Sequence, residues 1–506
     1  MSESETNASP RTGYVPLAVG LILALFLFRL WYCSRFELVG DEAYYWYCSK
    51  HLDWSYFDKG PGAAWTIALG TWLFGDSVFG VRFFSVLLSA VTAVSLFGLA
   101  RMLFSAQVAF RAVLVSAVVP MFAVGGVLMT IDPLSVFFWT AAAITFWKAK
   151  DSPRFAPWLA TGALVGIGML AKYTNIAELI SFAIFCAWCP EYRRSFRRPH
   201  FYAMAMAAVI FVLPVIVWNY RHDWVTVVHL LHRGAVDSHW KFSPGELFAF
   251  LGGQAGVISP LLFLGVFAAA GWPGMESSRR VEMRFLRALF WPLVLFYSLL
   301  SVNKAGQPNW IAPSYVAGII LLAAGWTAAE KKRRWVRPLA VCAIAIAALE
   351  TILLHNTYWL HLPRGRDPFD RARGFASIAD KASRIATAQG ARFFISNKYS
   401  LASLLAFYLP GHPDTYRPPA DHIQDQFSIW PGYAEKFDTG SALYVADSPR
   451  IPRSLRRDFA NVTLLEESYS RYREREILKY YFFLCSDLRH TATTPPAIPL
   501  PHATEP

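Results

Sequence analysis

Long apolar stretches separated by short polar loops occupy most of the chain before residue 360. Each stretch is close to the ~20 mostly apolar residues that an α-helix needs to cross a bilayer. The pattern predicts about eleven spans, near residues 14–33, 79–103, 108–130, 132–149, 156–172, 174–190, 201–218, 246–271, 285–302, 308–328 and 335–355. We therefore predict a polytopic α-helical membrane protein.

The pattern changes near residue 361, where the chain becomes polar and its apolar runs shorten to strand length. Such runs are Arg392–Ser396, Ala442–Ala446 and Tyr480–Cys485, and apolar residues between 375 and 386 follow helical spacing. We predict four parts: a cytoplasmic N-terminal tail (1–13), a transmembrane domain (14–360) with an outer loop (34–78), a small α/β domain (361–490) and a disordered Pro-rich tail (491–506).

Composition agrees with a membrane protein, because 55% of the residues are hydrophobic and only 16% are charged. The net charge is +13, but the Lys and Arg residues cluster in loops between apolar runs, so we do not expect nucleic-acid binding. These clusters lie in alternate loops, around residues 101–111, 148–154, 193–198, 279–287 and 331–337. The positive-inside rule makes those loops and the N-terminus cytoplasmic. An odd number of spans then places the C-terminal domain outside.

Common nucleotide-binding patterns are missing from the sequence. There is no GxxxxGK motif for ATP, and no Asp-x-Asp motif of the kind that binds nucleotide sugars through a metal. The remaining candidates for chemistry are acidic residues at the predicted outer ends of the spans.

The first outer loop holds the densest group of such residues. Asp41 and Glu42 precede a run of aromatic residues, and Asp58-Lys59 precedes an apolar segment, Gly62–Gly75, that we predict to be a helix in the interface. A carboxylate there can take a proton from an acceptor hydroxyl, while a lysine stabilises a departing phosphate. The alternative is that the acids are solvated loop charges and the aromatics an interfacial belt.

Seven short sequence motifs resemble those of the GT-C superfamily of membrane glycosyltransferases, in the branch of protein O-mannosyltransferases and aminoarabinose (lipid A) transferases. They are Gly40–Trp46, Tyr56–Pro61, Phe79–Arg82, Asp132–Leu134, Leu170–Thr174, Trp218–Trp224 and Asn309–Tyr315. All of them fall at predicted outer boundaries. The resemblance implies a GT-C-like fold with eleven to thirteen spans and a periplasmic α/β domain.

The resemblance also implies a function: transfer of one sugar from a polyprenyl-phosphate-linked donor to an acceptor at the periplasmic face of a bacterial inner membrane. The acceptor could be lipid A or lipopolysaccharide, another envelope glycan or lipid, or a protein. Membrane lipids would be further partners. By position, Asp41 matches the family's catalytic base or acceptor-positioning acid, Asp58 and Lys59 an acid–base pair, and Asp132 a second acid beside the active site.

Several further residues are candidates for substrate binding. They are Glu42, Lys59, Arg82, Lys172, Tyr173, His222 and Lys304. No cofactor is certain, and a divalent cation on Asp41 or Asp132 stays open. One departure from related sequences is that Lys59 is followed by Gly-Pro-Gly instead of directly by Pro. The alternative functions are a lipid or sugar transporter or flippase, and a non-catalytic envelope partner.

Overall fold

The computed structural model describes residues 13–233, 240–272, 279–363, 366–367 and 369–489. Its first part is helical. The helices are α1 (Tyr14–Tyr32), α2 (Gly40–Lys50), α3 (Gly62–Phe74), α4 (Val78–Leu103), α5 (Ala106–Val118), α6 (Pro120–Gly125), α7 (Ile131–Ala149), α8 (Phe155–Ala171), α9 (Ala177–Trp188), α10 (Pro199–Arg221), α11 (Val225–Arg233), α12 (Pro244–Ile258), α13 (Pro260–Gly271), α14 (Arg280–Leu300), α15 (Ser314–Ala329) and α16 (Val336–His355).

Every predicted span contains a helix, but the predicted number of spans is not confirmed. Within the described ranges, five helices (α1, α4, α10, α14 and α16) are long and apolar enough to cross a membrane, and the bent pair α12–α13 makes up to six. Shorter apolar helices, α3, α5, α8 and α15 among them, occupy other predicted positions. The chain is thus a multi-pass helical membrane protein in which several apolar segments are shorter than predicted.

Breaks in the backbone account for the shorter segments. The segment 108–130 is divided at Val119 and Pro120, because proline cannot donate the next hydrogen bond of a helix. The segment 246–271 was predicted as one span and instead bends by 106° between α12 and α13. At that bend Ser259 has a φ of +74° and precedes Pro260. The segment predicted to start at residue 308 begins with a 3₁₀ turn, Pro308–Ile311, and becomes α-helical only at Ser314.

The C-terminal part is a small α/β domain, as predicted. Its strands are β1 (Ala391–Ser396), β2 (Thr415–Tyr416), β3 (Ser441–Ala446), β4 (Phe459–Tyr472) and β5 (Arg475–Leu488), and its helices are α17 (Phe375–Gln389), α18 (Tyr399–Tyr408), α19 (Tyr433–Lys436) and α20 (Arg453–Asp458). The strand order is β2-β1-β3-β5-β4. β1 pairs in parallel with β2 and β3, while β5 is antiparallel to β3 and β4. The predicted tail 491–506 and most of the N-terminal tail lie outside the described residues.

Contacts between α2 and the α/β domain place that domain over the outer loop. Gly40, the first residue of α2, is so close to Ser400 that a Cβ on the glycine would lie 2.6 Å from the serine Cβ. The hydroxyl of Tyr408 accepts a hydrogen bond from the Leu38 amide at 2.8 Å. Glu37 accepts hydrogen bonds from the amides of Phe375 and Ala376 in the first turn of α17, where a carboxylate is favoured by the helix dipole.

Candidate active site

Helix α2 lies within the outer loop, and its four aromatic side chains are buried instead of forming an exposed interfacial belt. Tyr44, Tyr45, Trp46 and Tyr47 are all buried. Trp46 packs edge-on against Phe407 of α18, with ring centroids 4.9 Å apart. The aromatic run therefore joins the membrane part to the α/β domain. The neighbouring helix α3 matches the predicted interfacial helix in position, and its Trp72 is 79% exposed.

Glu42 and Arg82, both predicted to bind substrate, form a fully buried ion pair with a shortest distance of 2.6 Å. The guanidinium also donates to the carbonyls of Cys33, Phe36 and Glu37. The carboxylate accepts the amides of Val39 and Met129 as well. With both groups occupied in this way, the geometry favours a role in fixing the start of α2 over the predicted contact with substrate.

The loop before α3 lies against the end of α8, and its two glycines make this contact close. A Cβ on Gly60 would lie 2.2 Å from the Leu170 carbonyl oxygen, and one on Gly62 would lie 3.0 Å from the Ala171 amide nitrogen. The unusual Gly-Pro-Gly sequence after Lys59 thus has a physical reason. It lets the loop that carries Asp58 and Lys59 approach the outer end of α8, which leads directly to Lys172.

Asp58 and Lys59 contact neighbouring tyrosines of α2. Tyr44 donates to Asp58 Oδ1 at 3.1 Å, and the Lys59 ammonium lies 3.6 Å from Asp58 Oδ2. Lys59 also bonds to the hydroxyl of Tyr45. Burial alone lowers the pKa of Lys59, but Asp58 and Asp41 outweigh that effect and raise it above its usual 10.5. The ammonium therefore stays charged at physiological pH.

Tyr45 is the residue around which the predicted catalytic acids gather. Burial raises its pKa well above the ordinary value, and the charges of Asp41, Asp58 and Asp132 raise it further. Because the interaction between charges weakens with distance, the three carboxylates share the surroundings of this hydroxyl. The structure thus brings together acids that are up to 91 positions apart in sequence.

Asp132 forms a network with Lys172 and Asn309. Its Oδ1 accepts a hydrogen bond from the Lys172 ammonium at 2.7 Å, and its Oδ2 accepts one from the Asn309 side-chain amide at 2.7 Å. Lys172 donates in addition to the Asn309 carbonyl at 2.9 Å. Thr130 caps the start of α7 by accepting the Asp132 amide. Both carboxylate oxygens of Asp132 are therefore held in place.

Asp41 is less constrained than Asp132. It is exposed in the first turn of α2, and Tyr399 of the α/β domain donates to its Oδ1 at 3.2 Å. The ring of Tyr399 also packs edge-on against Tyr44, at 4.8 Å between centroids. Burial and the Asp41 charge raise the pKa of Tyr399 to about 12, so this hydroxyl remains a hydrogen-bond donor at physiological pH.

Comparison with known proteins agrees with this geometry. Residues 58–218 match the family described as dolichyl-phosphate-mannose-protein mannosyltransferase. The lipid A galacturonosyltransferase RgtD of Rhizobium johnstonii is 27% identical over 410 residues, which cover 79% of this chain and 83% of the relative. The undecaprenyl phosphate-alpha-4-amino-4-deoxy-L-arabinose arabinosyl transferase of Edwardsiella ictaluri is 27% identical over 341 residues, 62% of this chain and 58% of that protein.

The fold is similar to that of ArnT from Cupriavidus metallidurans. The crystal structure of ArnT bound to undecaprenyl phosphate aligns with a TM-score of 0.62 over 97% of this chain and 100% of ArnT, at 18% identity. The archaeal oligosaccharyltransferase AglB of Archaeoglobus fulgidus aligns with a TM-score of 0.51 over 85% of this chain and 69% of AglB, at 12% identity. The chain resembles the GT-C superfamily glycosyltransferases of the aminoarabinose and lipid A transferase branch. It is thus an enzyme, and the transporter alternative is set aside.

Three residues near the acids of this glycosyltransferase were missed as site residues from its sequence: Tyr399, Asn309 and Arg233. The charge of Arg233, at the end of α11, lowers the pKa of Lys59 and of His229. Its guanidinium lies 5.8 Å from the centroid of the Trp310 ring. Arg233 therefore adds a second positive charge beside Lys59. Burial is the main reason that the pKa of His229 is below its usual 6.5.

The remaining residues that were predicted to bind substrate have other surroundings. Tyr173 shares a hydrogen bond with Ser55 at 3.1 Å and so supports the outer loop. His222 stacks on Trp218 at 3.9 Å and bonds to the backbone of its own helix. Lys304 is exposed. In the described ranges no group of three or more His, Cys, Asp or Glu residues has the arrangement needed to hold a metal ion, so a cation on Asp41 or Asp132 stays a hypothesis.

Proposed function

We propose that this enzyme transfers one sugar from a polyprenyl-phosphate-linked donor to a lipid A-type acceptor at the outer face of the bacterial inner membrane. The observation that carries the proposal is the grouping of Asp41, Asp58 and Asp132 around Tyr45, with Lys59 in contact with the same hydroxyl. Carboxylates beside a fixed ammonium suit the departure of a phosphate from an anomeric carbon.

The donor is assigned from relatives and from the charges of the site. The matched family and the arabinosyl transferases are named for dolichyl or undecaprenyl phosphate donors. In this chain Lys59, which is paired with Asp58, and Arg233 are positive groups near the acids. They would bind the lipid phosphate and neutralise the charge that grows on it during transfer.

The two best-placed acids have different hydrogen-bonding environments, which favours different roles for them. Both oxygens of Asp132 accept hydrogen bonds from Lys172 and Asn309, so its carboxylate is a poor base and a good anchor for position. Asp41 is exposed and receives a bond from Tyr399 on Oδ1, which leaves Oδ2 available to a substrate hydroxyl. We assign the general base to Asp41 and positioning of substrate to Asp132.

In the proposed step the acceptor hydroxyl oxygen forms a bond to the anomeric carbon of the donor sugar. The bond from that carbon to the phosphate oxygen breaks, and its electron pair stays on the phosphate. The hydroxyl proton passes to the Asp41 carboxylate. Asp58 keeps the Lys59 ammonium in place through their 3.6 Å contact, so the positive charge is already next to the leaving group when the bond breaks.

A uronic acid is the sugar that we favour. The support is the relative RgtD, a lipid A galacturonosyltransferase, because its match covers 83% of that protein, whereas the match covers 58% of the arabinosyl transferase.

The orientation follows from the loop charges: the N-terminus lies in the cytoplasm, and the α/β domain, 361–490, lies in the periplasm above α2. The α/β domain would cover the active site while substrate is bound.

Mass spectrometry of envelope lipids tests the proposal. A strain that lacks the gene would be complemented with wild type, Asp41→Asn, Asp132→Asn or Asp380→Asn. Asp380 forms an ion pair with Arg384 on the exposed surface of α17 and is the matched control. We expect a uronic-acid-sized mass on lipid A to vanish on deletion and to return with wild type and Asp380→Asn, but not with the other two variants.

Other results would contradict specific parts of the proposal. A missing hexose- or pentosamine-sized mass would contradict the assignment of a uronic acid as the sugar, but it would still support the transfer reaction. A change confined to another glycan or to a protein would overturn the acceptor. Full restoration by Asp41→Asn would overturn the assignment of the base.

A further inference from the structure

A buried arginine in the first membrane helix has no carboxylate partner in the described part of the chain. Arg29, one turn before the end of α1, is 7% exposed. Its guanidinium donates to Ser89 Oγ at 2.9 Å and to the Phe122 carbonyl at 3.2 Å, both neutral acceptors. A buried cation in a membrane segment costs several kcal/mol unless an anion or a strong network compensates it. The other buried arginine of this region, Arg82, has such a partner in Glu42.

Arg29 lines a cavity of about 500 Å³ between the membrane helices. The lining is mostly apolar and comes from α1, α4 to α7, α12, α15 and α16, with Leu25, Leu96 and Val316 as examples. Its few polar side chains include Arg29 and Asp132. A cavity with apolar walls and a single buried cation complements a molecule that has an acyl chain and an anionic group.

This cavity is separate from the place that we assign to the donor phosphate. None of Tyr45, Lys59 and Arg233 lines it, whereas Asp132 and Asn309 do. Asp132 also acts electrostatically on Tyr45. The Asp132 network therefore lies between two compartments, one with the Lys59 and Arg233 charges and one with Arg29. An enzyme that joins two lipid substrates needs two such compartments that meet at the reacting groups.

We propose that this cavity is the acceptor-lipid site and that Arg29 binds an anionic group, phosphate or carboxylate, of the acceptor glycolipid. The inference rests on the proposed function in that it takes the acceptor to be a lipid. A guanidinium binds phosphate and carboxylate through paired hydrogen bonds. Its position one turn inside α1 would hold the acceptor headgroup at the level of Asp132, with an acyl chain along the apolar wall.

Direct lipid binding to the purified full-length protein tests the proposal. Native mass spectrometry would compare three probes: bisphosphorylated lipid A, the same lipid A after phosphatase treatment, and undecaprenyl phosphate. The proteins would be wild type, Arg29→Gln, Arg29→Lys and Arg35→Gln. Arg35 is exposed and lies over the Trp31 ring at 4.7 Å, so its variant is the control for loss of one outer positive charge.

We expect wild type and Arg35→Gln to bind phosphorylated lipid A about 10-fold or more tightly than the phosphatase-treated form. This is the difference that a hydrogen-bonded pair of charges predicts. Arg29→Gln should lose that preference, Arg29→Lys should keep part of it, and all four should bind undecaprenyl phosphate equally. The wild-type comparison needs no variant, so it remains informative if Arg29→Gln does not fold.

Each opposite result has a distinct meaning. Equal binding of the two lipid A forms by wild type, or a preference that persists in Arg29→Gln, overturns the anion site alone. Weaker binding of undecaprenyl phosphate by Arg29→Gln with unchanged lipid A binding assigns Arg29 to the donor and overturns the proposal. A wild type that binds undecaprenyl phosphate but neither form of lipid A overturns the acceptor in the proposed function together with this site.

Discussion

The hydroxyl of Tyr399 donates a hydrogen bond to Asp41 Oδ1 at 3.2 Å, although the two residues are 358 positions apart. This bond crosses from the α/β domain to the outer loop of the membrane part. It fixes the orientation of the carboxylate that we assign as the base. Because α18 packs along α2, any displacement of the α/β domain would also move this donor.

The first prediction concerns Tyr399→Phe. The phenylalanine keeps the ring contact with Tyr44 and removes only the hydroxyl. A hydrogen bond to a charged group contributes about 1.5–3 kcal/mol, so we expect kcat to fall by roughly 10-fold to 100-fold with little change in the KM for the donor. Steady-state kinetics on the purified enzyme measures both.

Tyr408→Phe is the matched control for that experiment. Tyr408 lies on the same helix and bonds to the Leu38 amide instead of to an acid. We expect it to lower thermal stability slightly and to leave kcat near the wild-type value. Equal losses of kcat in the two variants would mean that Tyr399 acts only through packing of the domain.

The second prediction concerns the buried pair Arg82–Glu42. Arg82→Met leaves a fully buried carboxylate without its cation, which costs about 3–5 kcal/mol. The double variant Arg82→Met/Glu42→Gln removes both charges, so it should recover part of that stability. Thermal unfolding in detergent measures the change in free energy. Arg384→Met is the control, since its ion pair with Asp380 is exposed and contributes about 0–1 kcal/mol.

The same variants separate a structural role from the substrate contact expected from the sequence. If Arg82 only fixes the start of α2, the folded fraction of the double variant should bind undecaprenyl phosphate with wild-type affinity. A selective loss of that affinity, without a loss of stability, would restore the predicted phosphate contact.

Much of this site could be predicted from the sequence, but the pairing of its charges could not. Asp41, Asp58, Lys59 and Asp132 stood out because charged residues at the outer ends of apolar spans need a reason. The bonds from Asp132 to Lys172 and Asn309 depend on how α7, α8 and the turn before α15 pack, and no local pattern encodes that packing. Arg82 resembled a phosphate ligand for the same reason: its partner Glu42 is 40 positions away.

The sequence predicted the positions of the helices better than their lengths. Apolar periodicity located each one, yet the bend at Ser259 and Pro260 and the break at Pro120 shortened segments that hydropathy alone presents as continuous. β4 was missed because the middle of this strand is exposed and, apart from Leu464 and Leu465, polar, so it lacks the longer apolar runs that marked β1, β3 and β5. Arg233 and Tyr399 carried no signal of their own, since each belongs to the site only through tertiary contacts.

The third prediction concerns the Gly-Pro-Gly turn. A Cβ at residue 60 would lie 2.2 Å from the Leu170 carbonyl oxygen, so Gly60→Ala must push the loop away from α8 and displace Lys59. We expect at least a 10-fold loss of kcat/KM, equivalent to about 1.4 kcal/mol. Gly98→Ala is the control, because its Cβ would have no neighbour within 4 Å. Similar activity in the two variants would contradict a positioning role for this contact.

The fourth prediction concerns the network of Asp132. Lys172→Met removes the cation that lies 2.7 Å from Asp132 Oδ1 and leaves the carboxylate held by Asn309. We expect kcat to fall by about 100-fold, since the carboxylate loses its counter-charge and one of the two hydrogen bonds that hold it in place. Lys172→Arg should recover part of the activity. A Lys172→Met enzyme with normal kcat would show that the network is not needed to position Asp132.

The fifth prediction uses the pKa of Lys59. Asp58 and Asp41 raise this pKa above its usual value of 10.5, so the ammonium stays charged and binding of undecaprenyl phosphate to wild type should not change between pH 7 and about pH 9. In Lys59→His the charge is carried by an imidazole with an ordinary pKa near 6.5, and it is lost as the pH rises. The affinity of Lys59→His for undecaprenyl phosphate should therefore approach that of wild type at about pH 5.5 and fall about 10-fold by pH 8. Lys304→His, at an exposed position, is the control and should behave as wild type. Titrations of the three proteins at these pH values measure the effect. A flat profile for Lys59→His would mean that Lys59 does not contact the phosphate, and Arg233 would then carry that role alone.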